Sequence, residues 1–242
     1  MSSEFLDWWA TRAELDSVKP DSRHKPIHPQ LVAATLSNLA SDDAIFTADV
    51  GEPTVWAARY LKMNGKRRLL GSFLHGSMAN AMPQAIGAQV TCPKRQVISM
   101  SGDGGIAMLM GDLLTIRQLK LPVKIVIFDN ALLGFVDIEM KASGFLPTGT
   151  RLENPNFADV ARAMGLYGVR VEEPAELAGA MQAAFKHDGA AVIDVLTDPV
   201  ELVMPPAITL EQVKGFSVWM MKAVLNGRGN ELLHLAESAW QH

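Results

Sequence analysis

Gly102-Asp103-Gly104 and Asp129-Asn130 are the residues of this chain whose types and spacing could do chemistry. A carboxylate and a carboxamide oxygen, set beside glycines that expose the backbone, suit a hard divalent cation that holds a diphosphate. The rest of its shell would come from phosphate and water. A lone Gly-Asp-Gly is also a common turn, because Gly tolerates positive φ and Asp bonds its own backbone. Placement gives the pair its weight. Each motif closes an apolar, strand-like run, Gln96–Ser101 and Val123–Phe128, with a helix-length stretch, Met108–Lys120, between them. A strand–helix–strand unit with parallel strands puts both motifs at the carboxyl edge of one sheet.

The elements around this unit alternate regularly. The pattern predicts helices over Pro29–Ala40, Thr54–Lys62, Met78–Val90, Asn156–Met164 and Pro174–Lys186. It predicts strands over Ala44–Ala48, Arg68–Gly71, Gly168–Val171 and Ala191–Leu196. The fold class is therefore α/β, a doubly wound parallel sheet of about six strands with helices on both faces. Phe5, Trp8, Trp9 and Leu15 lie at helical spacing before a polar, proline-bearing linker, Lys19–Pro29. Three regions follow: a helix and linker over 1–27, the α/β domain over 28–200, and a helical tail over 201–242. In the tail, Thr209-Leu210-Glu211-Gln212 reads as a capping box opening a helix to about Asn226. Gly227-Arg228-Gly229 stops it. Asn230 is expected to cap a last helix with Leu232, Leu233, Ala236, Ala239 and Trp240 on one side.

Bulk properties exclude several classes. The 242 residues are 48% hydrophobic, enough for a substantial core. A formal charge of −4 and a pI near 5.9 argue against a nucleic-acid surface, which needs a basic stripe. The single cysteine, Cys92, excludes an intrachain disulfide, fits a reducing cytoplasm and reads as incidental beside Pro93. The first residues lack the basic region and apolar core of a secretion signal. No apolar run approaches a membrane span. The expected location is cytoplasmic, with peripheral contact at the inner face of the membrane left open for the tail.

The Gly-Asp-Gly and Asp-Asn pair resembles the signature of the thiamine-diphosphate enzymes, in which the second motif is usually Asn-Asn. Asp129 stands where the family has the first Asn; Asn130 keeps the second. From about His28 onward the chain resembles the last third of bacterial pyruvate oxidases of the quinone-reducing kind. Asp49-Val50-Gly51, Trp56–Leu61, Gly71–Pro83, Leu133-Gly134-Phe135-Val136 and Lys214-Gly215-Phe216-Ser217 carry that likeness.

The resemblance implies a site. Asp103, Asn130 and the carbonyl of Leu132 would hold Mg2+, with Gly104 and Gly105 admitting the diphosphate of thiamine diphosphate. Gly76, Ser77 and Met78 would cradle the middle of the cofactor, Met78 as the wedge between its rings. Val50 and Gly51 would meet the pyrimidine end, although Glu52 departs from the small residue expected next. Leu133, Gly134, Phe135 and Val136 would line the cofactor, with Phe135 near the reacting carbon and Glu139 near the substrate. His75 has no orienting partner in the sequence and reads as structural.

The implied activity is oxidative decarboxylation of pyruvate to acetate and CO2, with FAD in the complete enzyme passing electrons to a quinone. This chain would supply only the diphosphate-binding domain. The pyrimidine-binding and FAD-binding domains would be partners, FAD would not be bound here, and the isolated chain would be inactive. A homo-oligomer is expected, and the last helix could meet a membrane through its apolar side. The alternatives are a domain of an acetolactate synthase or 2-keto acid decarboxylase, and a non-catalytic assembly domain.

Overall fold

The computed structural model describes residues 23–201 and 209–240. The strands are β1 (Ile45–Ala48), β2 (Arg68–Gly71), β3 (Val97–Gly102), β4 (Lys124–Asp129), β5 (Tyr167–Val171) and β6 (Ala191–Leu196). They form one six-stranded sheet in the order β2-β1-β3-β4-β6-β5, and every pair is parallel. The helices before and within the motif unit are α1 (Pro29–Leu39), α2 (Glu52–Tyr60), α3 (Ala81–Thr91), α4 (Asp103–Met108) and α5 (Leu113–Gln118). Those that follow are α6 (Gly134–Ala142), α7 (Phe157–Ala163), α8 (Pro174–Lys186), α9 (Leu210–Leu225) and α10 (Gly229–Trp240). The expected doubly wound α/β fold is present.

Strands β1 and β4 are buried along their whole length, which is why they read as near-continuous apolar runs. Alternate residues feed opposite layers, as the two-residue period of a strand requires. Phe46, Ile98, Met100 and Val126 join one core with Leu36 of α1, Trp56 of α2 and Met181 of α8. Ile45, Val97, Ile125 and Ile127 join the other with Ala85 of α3, Ile116 of α5 and Phe157 of α7.

Local chemistry moves several boundaries. The stretch expected as one helix over Met108–Lys120 is instead α4, a 3-10 turn (Met110–Asp112) and α5. Leu109 leaves helical geometry at φ −124, and helix formation begins at Asp103, straight after the extended Gly102. α3 starts at Ala81 rather than Met78, because Ala79 adopts φ 59 and Asn80 Nδ2 turns back onto the Ser77 carbonyl at 2.6 Å. The end of the expected linker is held to the sheet. Ile27 bridges to Thr197, and His24 and His28 meet Asp198 and Glu201 at 2.6 and 2.8 Å. The Phe5–Leu15 helix lies outside the described residues.

The tail helices pack on the domain. The Thr209–Gln212 capping box forms in both directions. Beyond it Gly215 crosses the end of α6 so closely that a Cβ there would lie 1.8 Å from the Ala142 carbonyl. Lys222 Nζ donates to the Gly144 carbonyl at 2.8 Å, and Trp219 is fully buried with Ala223 and Leu235. Leu235 rather than Leu233 turns inward; Leu233 is exposed, and α10 begins at Gly229 rather than behind an Asn230 cap.

Two outcomes follow for stability. Gly215→Ala should force α9 off α6 and cost about 1–3 kcal/mol in urea denaturation, as overpacking does. Gly179→Ala, in α8 with open space around it, should instead stabilise by about 0.5–1 kcal/mol. Asp194, buried on β6, accepts from the Phe157 amide and Arg170. Burial, and then the Asp129 charge, push it up to about 6 against the pull of Arg170. An unfolded Asp releases its proton near pH 4, so the folded state holds that proton longer. Its stabilising contribution is thus complete below about pH 4 and is lost as pH rises through about 6. Urea midpoints in chelator should fall across that window, and Asp194→Asn should flatten the fall.

Candidate functional site

The sheet reverses its winding at β1: one connection leads outward to β2, the next returns to β3 on the other side. Crevices at the carboxyl ends of strands form at such a point. Here the segments after β1, β2, β3 and β4 wall one cavity.

Asp49, just past β1, is the first fixed point. Its Oδ1 accepts from the Ala81 amide at 2.9 Å and its Oδ2 from the Gly102 amide at 3.2 Å, tying the starts of α3 and α4 to β1. A Cβ on Gly105 would lie 2.1 Å from that Oδ2, so the carboxylate leaves room only for glycine. Burial pushes Asp49 up to about 6 despite these donors.

The register of β3 with β4 sets Gly102 opposite Phe128, so Asp103 and Asp129 emerge side by side. One side chain stands between them: Asn154 Nδ2 donates to Asp103 Oδ2 at 2.8 Å and to Asp129 Oδ1 at 2.7 Å. Arg170 Nη1 lies 3.4 Å from Asp129 Oδ2 and 2.7 Å from Asp194 Oδ2. Asp103 also accepts from the Gly104 amide at 2.7 Å. Burial pushes Asp103 up to about 6, with Asp129 adding to it.

Asn130 follows. Its Oδ1 accepts from the Leu132 amide at 3.0 Å, while its Nδ2 donates to Glu52 Oε2 at 2.7 Å. Ala131 between them takes φ 54, a left-handed value that costs a non-glycine residue about 1–2 kcal/mol. Such strain persists only where its surroundings hold it. Burial first, then the charges of Asp103, Asp137 and Glu201, push Glu52 up to about 8. Met78 and Leu133 close over the Gly-Asp-Gly turn: a Cβ on Gly104 would lie 2.8 Å from Leu133 Cδ2 and 3.2 Å from Met78 Cε.

Of the residues singled out from the sequence, Val50, Gly51, Gly76, Met78, Asp103, Gly104, Gly105, Asn130, Leu132, Leu133, Gly134, Phe135 and Val136 share this cavity. Ser77 is half-buried behind it, its carbonyl engaged by Asn80. Glu139 is not brought there. It is exposed one turn further along α6, in a separate depression with Ser143, Thr209 and Gln212. His75 is exposed beside Leu74 and does not line the cavity. Asp49, Glu52, Asn154 and Arg170 were not singled out as site residues. Glu52 carried a signal, an acid where a small residue is expected; Asn154 and Arg170 carried none.

The donor set fits a hard cation. Asp49, Glu52, Asp103 and Asn130 offer oxygen, and no Lys, Arg or His is among the described residues that line the wall. Each carboxylate oxygen already hydrogen-bonded keeps a second lone pair for a ligand.

A family model described as "Thiamine pyrophosphate enzyme, C-terminal TPP binding domain" matches residues 49–195. The chain is 36% identical over 236 residues to YdaP of Bacillus subtilis (strain 168), named as a thiamine pyrophosphate-containing protein, covering 98% of this chain and 40% of that one. It is 32% identical over 213 residues to the acetolactate synthase isozyme 3 large subunit of Escherichia coli (strain K12), covering 85% and 37%. It is 31% identical over 206 residues to the mitochondrial acetolactate synthase catalytic subunit of Aspergillus candidus, covering 83% and 29%. The chain thus spans well under half the length of these relatives. The matched segment takes in every strand end that walls the cavity, and the chain belongs to the thiamine pyrophosphate enzymes, as their C-terminal TPP-binding domain.

Proposed function

We propose that this cavity holds a Mg2+ ion and the diphosphate of thiamine diphosphate, and that the chain is the diphosphate-binding part of a pyruvate-decarboxylating enzyme. The observation that carries this is the delivery of Asp103 and Asn130 from adjacent strand ends to one cavity wall. Asp103, Asn130 and the Leu132 carbonyl would hold the ion, whose octahedral shell needs further oxygens from phosphate and water. When bound, thiamine diphosphate supplies the electron sink for decarboxylation of a 2-oxo acid. The chain's own residues do the holding. Gly104 and Gly105 let the phosphate reach the backbone, Asp49 fixes the turn that carries them, and Met78, Leu133 and Phe135 form an apolar wall that excludes water. Met78 is the residue proposed to lie between the two rings.

Two fates of the decarboxylated fragment have support. Oxidation to acetate, with FAD in a partner domain and a quinone as acceptor, draws on the longer sequence likeness. Condensation to acetolactate draws on the names of the other relatives, which align over 69–85%. No described helix is long and apolar enough to cross a membrane.

Calorimetry should show thiamine diphosphate binding in Mg2+ and none in chelator. Asp103→Asn should weaken it by about 10–100-fold; binding unaffected by chelator would overturn the reading. The isolated chain should leave pyruvate unchanged. With pyrimidine- and FAD-binding domains supplied, acetate plus reduced quinone marks the oxidative reading, and acetolactate marks the other.

A further inference from the structure

Glu52 sits on the first turn of α2, yet its carboxylate reaches the loop after β4. Its Oε2 accepts from Asn130 Nδ2 at 2.7 Å, across the cavity from the chain segment that carries it. The other end of the same carboxamide, Oδ1, accepts from the Leu132 amide at 3.0 Å. An Asn carboxamide is nearly symmetric in shape, and its oxygen and nitrogen exchange places on a half-turn of the terminal torsion. Only the oxygen can ligate a cation. A hydroxyl at position 52 could donate or accept and would tolerate either orientation; the Glu52 oxygen that meets Asn130 accepts, and so selects the nitrogen. Room for it is built in, since a Cβ on Gly134 would lie 2.2 Å from Glu52 Oε1.

We propose that Glu52 is a positioning residue for the cation: it captures the nitrogen of Asn130 and thereby presents Oδ1 on the side of Leu132. This rests on the reading that Asp103, Asn130 and Leu132 hold Mg2+. The same bond couples two strand ends. The end of β1, through α2, dictates which atom the end of β4 offers, and with Oδ1 held the Leu132 amide is engaged and the strained Ala131 turn is locked. Cation affinity is then set in part by a residue that does not itself ligate the ion, as outer hydrogen-bond partners of metal ligands do.

The test is the Mg2+ concentration needed for half-maximal thiamine diphosphate binding by the full chain, read by calorimetry, with urea midpoints as the folding control. Glu52→Ala should raise that concentration by about 10-fold or more, the usual effect of removing an outer partner. Glu52→Gln keeps an accepting oxygen of the same reach and should restore most of the affinity. In an Asn130→Asp background both ends of the side chain are oxygens, so adding Glu52→Ala should no longer weaken Mg2+ binding. An unchanged Mg2+ requirement in Glu52→Ala overturns the inference. So does Glu52→Gln as weak as Glu52→Ala, which would make charge rather than orientation the cause. Failure of the unaltered chain to bind thiamine diphosphate at any Mg2+ concentration refutes the proposed function, and this inference with it.

Discussion

Parallel pairing of β3 with β4 forces two carboxylates, Asp103 and Asp129, into adjacent positions at the buried edge of the sheet. Like charges so placed repel, and burial removes the water that would screen them. Much of the surrounding structure answers that one constraint. Asn154 spends both amide hydrogens on the pair. Arg170 supplies the compensating charge from β5, and the Gly104 amide turns onto Asp103. These partners leave the charge of Asp103 acting on Glu52 across the cavity.

Backbone closeness is the second requirement, and it explains where side chains are absent or strained. Gly105 and Gly134 are bare because carboxylates, Asp49 and Glu52, occupy the space a Cβ would fill. Ala79 and Ala131 hold positive φ on the two loops that flank the Gly-Asp-Gly turn. Such backbone needs a rigid frame, and α6 is part of it, because Phe135 and Val136 in its first turn line the cavity. α9 braces the far end of α6 through Gly215, Lys222 and Trp219. α9 therefore contributes to the stiffness of the cavity wall, although none of its residues is among the described residues that line it.

Most of the sheet was legible in the sequence because buried parallel strands are unbroken apolar runs, as with Lys124–Asp129 and Ala191–Leu196. Asp103 and Asn130 were legible because their motif is local. The break between α4 and α5 was not: amphipathic spacing continues across Leu109 and Gly111 although the backbone does not. Residues that act across the sheet were hidden for a different reason. Asn154 and Arg170 meet Asp103 and Asp129 only once distant strands are paired, and Glu52 meets Asn130 only once α2 packs against β3 and β1. Glu139, one turn beyond Phe135, does not line the cavity because α6 leaves it in that direction.

The departure at Asp129 shows how such a site can change. An acid where the family usually carries an amide adds a buried negative charge, and a buried charge without a partner is strongly destabilising. Here Arg170 is shared between Asp129 and Asp194, and Asn154 takes the remaining oxygen, so Asp129 is held by groups from β5 and from the loop before α7. Removing any one member strands another: loss of Arg170 leaves two acids facing each other, and loss of Asn154 exposes Asp103 directly to Asp129. The charge beside the Asp129-Asn130 motif is thus a property of the sheet's far edge as much as of the motif itself.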